Sequence, residues 1–229
     1  MSRSFALSSC LLVLAAALSL PRIAFAGEDC ITIENFEKAA VGEFPPDWKV
    51  RKDIAKKDYV VEEEDGRRFL HAHSEGLGVQ AAKQFEWNLD EYPILAWRWR
   101  PVDFPNGGDE RESARNDSVL AVYLLVPYSN IRGPRAVKYV WSAVAPVGTQ
   151  LESNLGLTKV RVLRSGTAGK PAWTEERVDV RKDYLSAFGL AAAPTPGGIA
   201  VLTDSDDTKS SATGDYADFR ACRAGSVPH

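Results

Sequence analysis

The sequence predicts an all-β fold, a β-sandwich or jelly roll. Three observations lead there. Many short apolar or alternating segments are separated by glycine and proline turns. Two aromatic-rich segments, Ile94 to Arg100 and Ala136 to Ala143, alternate with period 2, as half-buried strands do. Between them Ser118 to Val126 is apolar on both faces, which suits a central strand covered on both sides.

Expected strands, in order, are Ile31 to Phe36, Tyr59 to Glu63, Arg68 to Ser74, Val79 to Glu86, Ile94 to Arg100, Ser118 to Val126, Ala136 to Ala143, Lys159 to Arg164, Trp173 to Asp179, Gly198 to Thr203 and Tyr216 to Cys222. Gly66, Gly76, Gly78, the Pro105 to Gly108 run, Gly133-Pro134, Gly166 and the Pro194 to Gly198 run punctuate them. Lys182 to Phe188 reads as one or two helical turns, and Asn106 to Asn116, rich in charge and glycine, as a mobile rim loop.

The first residues read as an export signal. Arg3 precedes an apolar stretch from Phe5 to Leu20, and Ala24-Phe25-Ala26 is a small-residue cleavage site. Residues 1–26 are therefore expected to be removed, leaving 27–229 as a single periplasmic or secreted domain, a monomer with no stable membrane insertion. The formal charge is −3 and no basic tract occurs, so nucleic acid is a poor partner. Cys10 lies in the leader. Cys30 and Cys222 remain near the two ends, and in an oxidising compartment they are expected to pair, holding the first strand beside the last.

Several pieces of sequence resemble one bacterial exported family, the domain of unknown function 3047. They include Phe44-Pro45-Pro46-Asp47-Trp48, Leu70-His71-Ala72-His73-Ser74, Tyr92 to Trp99, Tyr139-Val140-Trp141-Ser142, Gly198 to Thr208 and Gly214 to Phe219. The resemblance spans nearly the whole chain after the leader. Where the family usually reads Asp-x-Asp-Asn-Thr, this chain carries Asp207 in place of Asn. The resemblance implies a β-sandwich and export but no activity. By analogy of fold, the opening Ile33 to Glu37 and closing Asp218-Phe219 are similar to the ends of carbohydrate-binding jelly-roll modules.

Candidate sites follow from the residues. Asp204, Asp206 and Asp207 put three hard oxygen ligands within four positions, a pattern that favours calcium. The plainer reading is a solvated acidic turn. Glu34, Glu37 and Asp218 form an alternative calcium set if the chain ends meet. His71 and His73 share a strand face, and two exposed strand histidines are the simpler account of them than zinc.

Trp97, Trp99, Tyr139 and Trp141 are either core or a stacking platform, and core is favoured because large aromatics dominate core burial. Arg98 and Arg100 occupy the opposite face of their strand. With Lys138 they are expected to line an open, acid-binding groove, with Asp204 and Asp206 at its rim. The function expected is binding of a carbohydrate or cell-envelope glycan without catalysis. A polysaccharide lyase or glycoside hydrolase is the rival, though no catalytic pair is marked by spacing. A structural envelope protein without a small ligand is the third reading.

Overall fold

The computed structural model describes residues 29–166 and 172–225. The leader expected over residues 1–26 lies outside the described residues. Two sheets pack face to face as a β-sandwich. The strands are β1 (Cys30–Glu34), β2 (Trp48–Val50), β3 (Tyr59–Glu64), β4 (Arg67–Glu75), β5 (Ala81–Gln84), β6 (Ile94–Asp103) and β7 (Leu120–Ser129). There follow β8 (Gly133–Ser142), β9 (Gln150–Ser153), β10 (Thr158–Ser165), β11 (Thr174–Asp179), β12 (Gly198–Leu202) and β13 (Ser211–Cys222).

The smaller sheet runs β11-β6-β13-β4-β3, with β1 also paired to β13. The larger runs β2-β5-β12-β7-β8-β10-β9. All pairings are antiparallel except β8 with β10. The short strands β2 and β9 had no signal in the sequence. Each is three or four residues long and is recruited by pairing to a longer neighbour.

The core fills the space between the sheets. On β6, Leu95, Trp97 and Trp99 are fully buried. They meet Leu120, Val122 and Leu124 of β7 and Tyr139 of β8 in one apolar cluster. Trp97 lies 5.7 Å from Tyr139 and Trp99 5.8 Å from Trp141, centroid to centroid. The tryptophans of β6 and the aromatics of β8 are not on neighbouring strands. They belong to opposite sheets and interlock across the sandwich, which is how two alternating faces bury the most ring area.

Cys30 and Cys222 are bonded. They are direct cross-strand partners on β1 and β13, with Cα atoms 4.0 Å apart. One helix, α1 (Val180–Phe188), closes an end of the sandwich. The Asp179 carboxylate accepts from the Lys182 amide at its start, and Gly189 ends it in the left-handed conformation. The Asp183 carboxylate on this helix accepts from the Tyr139 hydroxyl and pairs with Arg161, tying α1 to the larger sheet.

The Asn106 to Asn116 segment is solvated at Asn106, Gly107 and residues 111–115, as its composition suggests, but not at its middle. Asp109 and Glu110 are both buried. The Ser142 hydroxyl donates to Glu110, and Arg111 forks onto Asp109 at 2.8 and 2.7 Å. Charge pattern marked the loop as polar, but not that it folds inward over the outer face of the larger sheet.

Candidate functional site

Alternation sends every second residue of the larger sheet away from the core. The register makes a floor of three rows across the strands. One is Leu202, Ala121, Val140 and Val162. The next is Ala82, Ala200, Tyr123, Lys138 and Val160. The third is Gly198, Leu125, Ala136 and Thr158. Apart from Tyr123 and Lys138 the middle of this floor is small and aliphatic. Surrounding loops bury it: Ala121, Val140, Ala200 and Ala145 have no exposed surface. The Glu110 loop and the 143–149 segment thus wall a recess rather than leave an open sheet face.

A cavity of about 300 Å³ opens on this recess. Its lining includes Arg51, Lys52, Gln80, Tyr123, Asn154 and Thr158. Two of the lining residues are cations and none is a carboxylate, in a chain of net charge −3. Tyr123 lies in the same row as Lys138, whose ammonium sits 5.7 Å from the Tyr123 ring centroid. Lys138 is only 5% exposed, and among the described residues no carboxylate stands within ion-pair distance of it. Burial alone would lower its pKa. Tyr123, Asp204 and Glu110 more than offset that, so the ammonium is held charged.

The walls are pinned from the other sheet. The Tyr59 hydroxyl crosses from β3 to donate to the Val79 carbonyl at 2.7 Å, and the Tyr216 hydroxyl crosses from β13 to the Leu202 carbonyl at 2.8 Å. On the far lip, Ser153 and Asn154 approach from the β9–β10 hairpin. Asn154, Leu155 and Gly156 there take φ values of 49°, 54° and 80° in succession. For Leu155 the left-handed conformation costs about 1–2 kcal/mol, whereas asparagine adopts it more readily.

The acidic run lies behind one wall. Gly78 is the residue that lets the segments meet: a Cβ there would sit 2.5 Å from Asp204 Oδ1 and 2.7 Å from Asp206 Oδ1. Asp204 is buried, Oδ1 has no hydrogen-bond partner, and burial raises its pKa to about 8. A three-carboxylate group does form, but with a different membership from the expected one. Asp117, Asp206 and Asp207 bring ligand oxygens within 4.8 Å of one another, so Asp117 replaces Asp204. Asp117 is fully buried and accepts from the Asp207 and Thr208 amides and from the Thr208 hydroxyl at 2.6 Å. This three-dimensional neighbour, ninety residues away in sequence from Asp207, carried no local signal.

The alternative acidic set does not assemble. The Glu34 carboxylate already accepts from the Asn35 and Phe36 amides and the Trp48 indole and pairs with Lys83 at 2.8 Å. Asp218 is taken by Arg98 at 3.2 Å. Glu37 lies near Asp218 in a separate surface hollow, without Glu34.

Arg98 and Arg100 do face outward from β6, as expected, and the tryptophans face the core. Lys138 does not join them. It belongs to β8 of the other sheet, because β6 pairs with β11 and β13 and never with β8. The two arginines are also already satisfied. Arg100 meets Asp215 at 2.7 Å and Glu64 at 2.8 Å, and both guanidiniums stack over Trp173 at 5.0 and 4.7 Å. His71 Nδ1 joins the same network through Asp215 at 2.8 Å, and the hydrogen bond raises the His71 pKa. His73 instead meets the Thr213 hydroxyl. A paired, stacked set of this kind holds a sheet face together. It leaves little unmet charge for a ligand.

Residues 46–220 match the family of proteins of unknown function DUF3047, and the chain belongs to that family. No curated protein matches it. Among solved structures it is weakly similar to the CBM22-1–GH10 modules of Clostridium thermocellum endo-1,4-beta-D-xylanase 10B complexed with xylohexaose. That match has 13% identity over 88% of this chain and 29% of that one, with a TM-score of 0.35. An exo-beta-agarase matches at 10% identity over 89% of this chain and 25% of that one, with a TM-score of 0.37. The chain spans less than a third of the length of either.

Proposed function

We propose that this DUF3047 protein is an exported glycan-binding sandwich that takes an acidic sugar chain in the recess of its larger sheet. The observation that carries the reading is the cavity lined by Arg51 and Lys52 without a carboxylate, with the buried Lys138 ammonium behind its Tyr123 wall. Two cations on a lining that carries no carboxylate leave positive charge to be met by an anion brought from outside. Tyr123, Gln80 and Asn154 supply the flat and hydrogen-bonding surface that a uronate ring uses. Arg98 and Arg100, expected from the sequence to bind, are assigned here to holding the smaller sheet.

Export is supported by the disulfide, which belongs to oxidising compartments. Among the described residues no helix is long and apolar enough to cross a membrane. Calcium is assigned to the Asp117, Asp206 and Asp207 group, with the unpartnered Asp204 Oδ1 turned toward Asp206 over Gly78. There it would fix the wall of the recess rather than contact chemistry.

The test is calorimetric titration with tetragalacturonate and, as the neutral comparator, cellotetraose. The acidic ligand should bind, and binding should weaken as salt rises. Equal binding of both oligosaccharides, or of neither, would reject the acidic reading. A lyase or hydrolase is the second reading, favoured by two buried carboxylate oxygens without partners near the recess, Asp204 Oδ1 and Glu110 Oε1. Ultraviolet absorbance of unsaturated uronate, or new reducing ends, would reveal turnover.

A further inference from the structure

The β9–β10 hairpin carries a feature that the fold does not require. Ser153 pairs with Thr158, so four residues turn the chain. Turns of this length are ordinarily built on right-handed residues with a single left-handed glycine. Here Asn154 and Leu155 both precede Gly156 in the left-handed region. Asparagine tolerates that conformation, but leucine gains nothing from it. Nor does burial compensate, because Leu155 is 91% exposed. Asn154 beside it lines the cationic cavity, and the Asn154 carbonyl accepts from the Leu157 amide at 3.1 Å, which fixes the turn. Across the cavity the other lip, Arg51 and Lys52, leads into a short turn whose Ile54 is also 62% exposed. Backbone strain held at the rim of a cavity, with an apolar side chain presented to solvent, is a mark of a ligand clamp.

We infer that the Asn154–Gly156 turn is a strained clamp that lays Leu155 against the apolar C–H face of a sugar ring whose carboxylate is held by the cations of the recess. This rests on the glycan reading above and names the part of the site that selects a ring over a free carboxylate. Arg51 and Lys52 recognise charge; Leu155 recognises the flat hydrocarbon face beside it. An acidic oligosaccharide should then bind far better than a small carboxylate of equal charge.

The experiment replaces Leu155 by Asn and by Gly, which relieve the left-handed strain, and by Met, which keeps the apolar contact. Thermal melting and calorimetric titration with tetragalacturonate are read for each. Leu155→Asn should melt at or above the temperature of the unsubstituted protein yet bind roughly tenfold more weakly, the loss expected from uncovering most of a leucine's contact. Leu155→Gly should bind as weakly, and Leu155→Met should bind within about twofold of the original. Stability held or raised with affinity lost is the signature of a clamp, since a merely structural leucine would lose stability and spare affinity. If the variants bind as tightly as the parent, or if Leu155→Asn melts lower, the clamp is refuted while the glycan reading stands. If the parent protein binds no tetragalacturonate, the glycan reading falls and the clamp falls with it.

Discussion

Two neighbouring tryptophans on one face of β6 should respond very differently to the same substitution. Trp97 and Trp99 are both fully buried, so Trp→Phe removes comparable apolar volume from each, costing about 1–2 kcal/mol in packing. Their indole N–H groups differ. Trp97 Nε1 has no acceptor among the described residues, and an unpaired buried donor costs about 1–3 kcal/mol, which phenylalanine relieves. Trp99 Nε1 donates to Glu176 Oε1 at 3.1 Å, and a hydrogen bond to a charged group contributes about 1.5–3 kcal/mol, which phenylalanine loses. Glu176 keeps Arg164 at 2.6 Å, which holds the loss toward the lower end. Trp97→Phe should therefore fall within about 1 kcal/mol of the parent, and Trp99→Phe about 3 kcal/mol below it. Urea unfolding followed by circular dichroism measures both. Equal losses, or a larger loss at Trp97, would refute the opposed roles assigned to the two rings.

Reducing the Cys30–Cys222 bond, which closes a separation of 192 residues, should lower stability by up to about 5 kcal/mol by the chain-entropy argument, and thiol titration of the unfolded, unreduced protein should find neither cysteine free. The His71 pKa is raised by its hydrogen bond to Asp215, so its contribution is fully present below the unfolded value near 6.5 and is lost as pH rises through the higher folded value. Denaturant stability should decline across that window, and His71→Gln should flatten the decline. Calcium should raise the melting temperature relative to chelator, and Asp206→Asn with Asp207→Asn should erase the difference. A parent protein indifferent to chelator removes calcium from the account.

Much of the architecture was legible in the sequence because it is written locally. Period-2 alternation located β4, β6 and β8, and the run apolar on both faces located β7; alternation also assigned Trp97 and Trp99 to the core and Arg98 and Arg100 to the outside. Two lone cysteines at the chain ends gave the disulfide. What alternation cannot give is which strands share a sheet. Lys138 was read beside Arg98, and it lies on the opposite sheet.

The site suffered most from this, since its parts are joined only by tertiary contact. Arg51 and Lys52 follow a three-residue strand, Asn154 sits in a hairpin, and Asp117 reaches Thr208 across ninety-one residues. The Glu110 loop looked solvated because charge is counted residue by residue, whereas Glu110 meets a distant partner, the Ser142 hydroxyl, that local composition does not show. One local signal was available: Lys138 is the lone cation in the apolar stretch Val137 to Val140. A lysine there must either pair or serve a ligand.

The most direct test sets Lys138→Met beside Arg98→Ala in calorimetric titrations with tetragalacturonate. Methionine keeps the unbranched stem and removes the charge, so packing is largely preserved. If the recess binds the acidic sugar, Lys138→Met should weaken binding roughly three- to tenfold by removing a positive charge behind the Tyr123 wall, while Arg98→Ala binds as the parent does. Affinity lost at Arg98 and kept at Lys138 would place binding on the smaller sheet and contradict the account.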